Sequence, residues 1–232
     1  MICYEDQKVL VLAPHCDDET LGCGGIIQKF VDAGSEVHVV VFSFVMGDFH
    51  KYDPVSQQYV NYSGEKRYDE YLNVVGSMGV KSHRVLKFED RGQVKYHLNL
   101  DAYSLREFLP LIESIVNDEF RPTVILTPAP SKNQDHRYVN ELTRTLMRPY
   151  YLPATVLEYE VDGEIDFVPN LYVALNDMEA RRKVTYIEGH STQNSGPLHP
   201  TSPEKQFAKM VFRGGECGAY YAEAFRVMRV VG

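Results

Sequence analysis

Hydrophobic positions along the chain fall into short β-branched runs alternating with segments of helical period. Lys8–Ala13 (KVLVLA) is an apolar run of the kind buried on both faces of a parallel sheet, and Pro14 ends it. Thr20–Ala33 then places Leu21, Ile26, Ile27, Phe30 and Val31 near helical spacing, with Gly34 as a C-terminal stop. Glu36–Phe44 (EVHVVVFSF) reads as a second buried strand. Strand, helix and strand in so short a span form a βαβ unit, for which parallel pairing and a right-handed crossover are expected.

Farther along, Met46–Gly64 is polar, Tyr-rich and aperiodic, which predicts a long loop over a ligand site. Helices are expected at Glu65–Met78, Leu105–Val116, His136–Met147, Asp177–Glu188 and Pro203–Phe212. Further strands are expected at Val85–Phe88, Thr123–Thr127, Ala154–Val161 and Asn170–Ala174. No repeat or domain boundary interrupts the pattern, so residues 1–232 read as a single α/β domain, Rossmann-like, with a mostly parallel sheet flanked by helices.

Composition narrows the class of ligand. A net charge of −8 argues against nucleic acid, whose partners carry a clustered basic face. No apolar run approaches the roughly 20 residues of a membrane helix, and the N-terminus lacks a signal-peptide pattern. Cys3, Cys16, Cys23 and Cys217 form no CxxC pair, which predicts free thiols and a cytoplasmic location. A compact polar small molecule is the ligand class left.

The chemistry is concentrated in Pro14-His15-Cys16-Asp17-Asp18-Glu19, directly after the first strand. In open α/β sheets the carboxyl ends of strands are where ligands bind. Adjacent carboxylates repel one another unless a cation or proton shares the site. His15 and Asp18 suit zinc, and a third ligand is supplied by His136 in Asn133-Gln134-Asp135-His136, a loop that also follows an apolar strand. Three protein ligands plus water describe an open catalytic site. Asp17, beside the ligands, is then the general base for an attacking water. The plainer reading of Asp17-Asp18 is a helix N-cap followed by a first-turn acid, favoured by the helix dipole.

These residues resemble the PIG-L/LmbE family of zinc-dependent N-acetylglucosamine deacetylases, whose signatures are A-H-P-D-D-E and, later, H-x-D-H. The resemblance places His15, Asp18 and His136 on the metal ligands and Asp17 on the general base. It also implies that Arg67, in Arg67-Tyr-Asp-Glu70, reaches the substrate and that Asp90 contacts sugar hydroxyls. Lys183 to Gln193, containing His190, is similar to a K…H-x-S-Q helix, and Ala222-Glu-Ala-Phe225 to the family's A-E-A-F ending. Asn133 stands where the family has His, so it can donate a hydrogen bond to substrate but no proton. His190, Asp17 carrying the water's proton, or another group must then protonate the amine. Cys16 replaces the signature Pro, which raises the question of adventitious ligation by a thiol.

The activity so implied is hydrolysis of the N-acyl group of an N-acetylated amino sugar or glycoconjugate, with one Zn²⁺ per chain, Fe²⁺ being an alternative ion. The resemblance leaves the acyl group, the aglycone and the state of a homo-oligomer open. Two other readings stand beside it. Gly22, Gly24 and Gly25 suggest a nucleotide-binding Rossmann enzyme, although the acidic turn would repel a pyrophosphate. Asn133 makes a metal-containing sugar-binding relative without deacetylase activity the other.

Overall fold

A computed structural model describes residues 2–53, 56–148, 152–162, 166–194 and 196–231. In chain order the elements are β1 (Lys8–Ala13), α1 (Asp18–Asp32), β2 (Glu36–Val41), β3 (Phe49–Asp53), β4 (Gln58–Tyr62), α2 (Gly64–Ser77), β5 (Ser82–Val85), β6 (Lys87–Asp90) and β7 (Gln93–Tyr96). They continue with α3 (Leu105–Ser114), β8 (Val124–Pro128), α4 (Gln134–Leu146), β9 (Thr155–Tyr159), β10 (Leu171–Leu175), α5 (Asp177–Gly189), α6 (Pro203–Cys217) and β11 (Tyr221–Arg229).

Seven strands form the central sheet in the order β10-β11-β9-β8-β1-β2-β5. β5, β2, β1, β8 and β9 pair in parallel, while β11 runs antiparallel to both β9 and β10. The mostly parallel α/β architecture expected from the βαβ pattern is the one observed. From β1 the chain extends outward through β2 and β5, then returns to β8 on the other flank of β1. The gap between the carboxyl ends of β1 and β8 is therefore the topological switch point, where connections leave in opposite directions and a crevice opens.

Strand β1 explains why the sheet needs cover on both sides. Its residues Val9 to Ala13 have no exposed surface. Val9, Val11 and Ala13 join one core with Ile26, Ile27 and Phe30 of α1, Val74 and Val75 of α2, and Ala180 of α5. Leu10 and Leu12 join the opposite core with Phe108 and Ile112 of α3 and Val139 and Leu142 of α4. At roughly 1.5–3 kcal/mol per buried aliphatic or aromatic side chain, these layers hold the strand ends, and so the loops they carry, in place.

Three expectations need correction, and one strand was not anticipated. The long loop Met46–Gly64 contains the β3–β4 hairpin, whose cross-strand pairs Phe49–Tyr62 and Tyr52–Tyr59 bring ring centroids to 5.6 and 5.5 Å. Aromatic cross-strand pairs stabilise such ribbons, and the Tyr-rich composition had that meaning. The single strand expected at Val85–Phe88 is two strands. Ser82–Val85 pairs with β2 in the main sheet, and Lys87–Asp90 pairs with β7 across Arg91-Gly92, both at positive φ (52° and 76°) as a tight hairpin turn demands. The helix expected to end at Phe212 continues to Cys217, and the antiparallel strand β11 was not anticipated.

Gly22 shows how tightly the loop after β1 is seated. A methyl group there would lie 2.1 Å from Cδ2 of Tyr159, a fully buried ring whose hydroxyl donates to the Leu12 carbonyl at 2.9 Å. Gly22→Ala should destabilise the protein by about 1–3 kcal/mol, the usual result of overpacking. The exposed helical Gly76, with open space around it, is the control: Gly76→Ala should be neutral or stabilising. Urea midpoints check this, and an unchanged midpoint for Gly22→Ala would contradict the packing described.

Candidate metal centre

Two loops meet at the switch point. After β1, the chain turns at Pro14 and enters α1 at Asp18. The His15 amide donates to Asp18 Oδ2 at 2.8 Å, folding that carboxylate back over the loop. Asp17 occupies the N-cap position, yet its side chain makes no capping hydrogen bond. Asp17 and Asp18 thus hold the N-cap and first-turn positions of the helix reading, but the Asp17 side chain does not cap and lines the cleft instead. After β8, Asn133 caps α4 by accepting the Asp135 amide at 2.8 Å, which sets Asp135 and His136 on the first helical turn.

His15, Asp18 and His136 each place a donor atom within 4.8 Å of the others. His15 Nδ1 lies 3.1 Å, and His136 Nε2 3.2 Å, from the same Asp18 oxygen, Oδ2. The outer ring nitrogens are both engaged. His15 Nε2 meets Asp135 Oδ2 at 3.1 Å, and His136 Nδ1 meets Ser131 Oγ at 3.1 Å, a hydroxyl that also accepts the Asn133 amide. With the outer nitrogens protonated and donating, each ring turns a lone pair toward an anionic oxygen. Such a set is repulsive until a cation or proton enters, and tetrahedral zinc at about 2.0–2.1 Å from each ligand would separate them by about 3.3 Å. The donor set therefore fits a divalent ion.

Electrostatics agree with that reading. Burial alone would lower the pKa of His15, but hydrogen bonds to Asp135 and Asp18 outweigh it and raise it to about 10. Burial works in the opposite sense on Asp18, and the His136 and His15 imidazoles overcome it to hold the carboxyl far below the usual range. Both shifts describe the same pairing, in which carboxylates favour a proton on the imidazole between them. Burial pushes the Cys16 thiol strongly upward, so it stays protonated, and it faces the Arg67 guanidinium. That orientation removes Cys16 from the donor set.

The other residues singled out from sequence fall into different places. Asn133 lines the cleft; since its Oδ1 is taken by the cap, its amide NH₂ is the group free to face a ligand. Arg67 is buried beneath the acidic loop, over the Phe44 ring at 5.5 Å and against Cys16, and is not among the cleft-lining residues described. His190 ends α5 and is buried, with Nε2 at 3.3 Å from Thr20 Oγ1 and 3.6 Å from Glu19 Oε1. It lines a small hollow that it shares with Asp17, and its Nδ1 has no partner among the described residues. Asp90 closes β6, and its side chain lies outside the described residues.

Sequence reasoning missed Asp135 and Ser131, which orient the two imidazoles. Asp135 is nearly fully buried, and its second oxygen accepts the Leu100 amide at 2.9 Å, so it cannot swing away from His15. Its position directly before His136 was the available signal. Across the cleft, a hollow of about 190 Å³ open to solvent, stand Glu160, Asp162, Thr201 and Lys209. Glu160 is gripped by Arg213 at 2.6 and 3.0 Å, and Asp162 by Lys209 at 2.7 Å.

Comparison with known proteins places this arrangement. A curated relative, 1D-myo-inositol 2-acetamido-2-deoxy-alpha-D-glucopyranoside deacetylase of Mycolicibacterium smegmatis, is 28% identical over 153 residues, covering 59% of this chain and 50% of its own. The chain thus spans about half the length of that relative. Among solved structures, the conserved protein TT1542 from Thermus thermophilus superposes with a TM-score of 0.72 at 20% identity, covering 97% of this chain and 96% of its own. N,N'-diacetylchitobiose deacetylase from Pyrococcus horikoshii gives 0.70 at 23% identity, with 96% and 84% covered. The 4-carboxy-2-hydroxymuconate hydratase GalB from Pseudomonas putida KT2440 gives 0.65 at 16%, with 97% and 98% covered, so these likenesses establish the fold alone. Residues 10–147, more than half of the chain and including both loops of the centre, match the PIG-L family profile, and the chain belongs to that family, described as GlcNAc-PI de-N-acetylase.

Proposed function

We propose that the protein is a metal-dependent deacetylase that hydrolyses the N-acyl group of an N-acetylated amino sugar or glycoconjugate. The observation that carries this reading is the convergence of His15 Nδ1, Asp18 Oδ2 and His136 Nε2, with no lysine or arginine among the described residues paired with them at that point. A zinc ion, or another divalent ion such as Fe²⁺, bound there would lower the pKa of a water to about 7 and polarise the amide carbonyl.

The chain's own residues supply the rest. Asp17, lining the cleft and uncommitted to helix capping, accepts the proton of the attacking water. Asn133 directs its NH₂ at the carbonyl oxygen as negative charge develops there, a role a neutral donor can fill. It has no proton to give, so the leaving amine takes the one collected by Asp17, with His190 in the adjoining hollow as the second candidate donor. Asp162, Thr201 and Lys209 on the far wall offer hydrogen-bond donors and acceptors to a sugar's hydroxyls. Arg67, held under the acidic loop, offsets its negative charge from behind. Four unpaired cysteines support a reducing, cytoplasmic setting.

The nucleotide-binding alternative loses its support here. Gly22 is filled against Tyr159, and the amides of Gly25 and Ile26, which would have to cradle a phosphate, donate instead to Glu223 at 2.7 and 2.8 Å. A phosphate would meet a carboxylate there.

Three outcomes follow. Chelation should abolish deacylation of N-acetyl sugars and lower the melting temperature, and zinc should restore both; full activity in a metal-free preparation would refute the reading. Asp17→Asn should lose about 10²- to 10⁴-fold in kcat while retaining stoichiometric metal, and wild-type turnover would remove Asp17 from the mechanism. Asp135→Asn should weaken zinc binding by roughly 10- to 100-fold, because a ring nitrogen loses its anionic partner. Chelator competition reads that change, and unaltered affinity would show Asp135 to be dispensable.

A further inference from the structure

α1 is not one helix. Cys23 has φ −145° and ψ 21°, which breaks the helical path between the turn that begins at Asp18 and the segment that continues to Asp32. An unbroken helix would join the Gly25 amide to the Leu21 carbonyl. Here each of those groups has gone to a different ion. Gly25 N–H donates to Glu223 Oε1 at 2.7 Å, and Leu21 C=O accepts from Lys183 Nζ at 2.8 Å. Lys183 Nζ and Glu223 Oε1 are themselves 2.7 Å apart, and the second carboxylate oxygen accepts the Ile26 amide at 2.8 Å.

The ion pair is therefore spliced into the helix at its break. Its cation faces the carbonyl end of the first segment and its anion faces the amide end of the second, each matching the partial charge exposed there. The partners come from far along the chain, Lys183 from α5 and Glu223 from β11, and their side chains are only 4% and 2% exposed. Glycine leaves room where they enter, tightly at Gly25 and with ordinary contact at Gly24. A methyl group on Gly25 would lie 3.0 Å from the Glu223 carboxyl carbon and 2.8 Å from Leu175, and one on Gly24 3.4 Å from Cγ of Lys183.

What the splice holds is the short first segment, and that segment is the metal loop: Asp18 is a proposed ligand, Asp17 precedes it, and Leu21 and Gly22 form the cleft floor beside them. An isolated single turn has little stability of its own. We infer that Lys183 and Glu223 are positioning residues for the metal centre: by bridging the broken helix they fix the first turn, and through it the orientation of Asp18 and Asp17. This inference rests on the metal-dependent reading above.

The test uses full-length protein loaded with zinc or cobalt. Lys183→Met should weaken zinc affinity at least tenfold in chelator competition, alter the visible spectrum of the cobalt form, and lower kcat more than it changes KM, all measured well below the variant's own melting temperature. A merely structural pair would lower the melting temperature and leave those three readouts as in wild type, and that result would overturn the inference. Because one unpaired buried charge can prevent folding, the double variant Lys183→Met/Glu223→Gln, which leaves none, is measured alongside. It should regain much of the stability yet remain deficient in metal affinity and kcat; wild-type values for both would again refute the proposal. Amide exchange on the unmodified protein needs no variant. Removing zinc should accelerate exchange at Gly25 and Ile26 at least tenfold relative to β1 and β8, since coupling between metal and splice is reciprocal, and equal exchange with and without zinc would count against it. Failure of the wild type to bind zinc or to deacylate sugars would instead strike the proposed function itself.

Discussion

At the carboxyl ends of two adjacent parallel strands, a buried carboxylate oxygen and two imidazole nitrogens are aimed at one point, and no lysine or arginine among the described residues is hydrogen-bonded to them there. Isolated, such a set is unfavourable, because burial strengthens repulsion between groups that water would otherwise screen. The fold makes it tolerable by rigid support and by leaving room for a cation. The switch point brings the β1 and β8 loops together, and the two cores on either side of β1 prevent them from relaxing apart.

Support comes from several directions, each using a different interaction. Asp135 and Ser131 fix the imidazoles through their outer nitrogens. Tyr159, wedged against Gly22 and tied to the Leu12 carbonyl, fills the space beneath the loop. Arg67 places a buried positive charge behind it, while Lys183 and Glu223 bridge the helix break immediately after it. Together these contacts hold the turn bearing Asp17 and Asp18 and the facing imidazole of His136. A catalytic constellation must be held to a fraction of an ångström, and supports arriving from α2, α4, α5, β9 and β11 accomplish that better than the loop could alone.

The glycines after the first strand illustrate how a shared pattern serves different ends. Glycine in this position of an α/β fold can allow backbone to approach a phosphate. In this chain Gly22 and Gly25 admit a tyrosine ring and a glutamate carboxylate, both protein groups. The substitution of Cys16 for the signature proline is accommodated in the same spirit: the thiol is fully buried beside Arg67 and takes no part in the donor set.

Local pattern sufficed for much of this. β1, β2, β8, α2 and α4 were legible because a central parallel strand and an amphipathic helix each carry their burial in their own periodicity. The grouping of His15, Asp18 and His136 was legible for the related reason that the loops leading to them follow such strands. Tertiary structure alone decided the remainder. The sequence of β11, YAEAFRVMR, contains good helix formers, and it is extended because β9 and β10 pair with it on both sides. The contacts of Asp135, Lys183 and Glu223 are with partners 120, 162 and 198 residues away, respectively His15, Leu21 and Gly25. Periodicity reports which face of an element is buried; it carries no information about which distant polar group will meet it there.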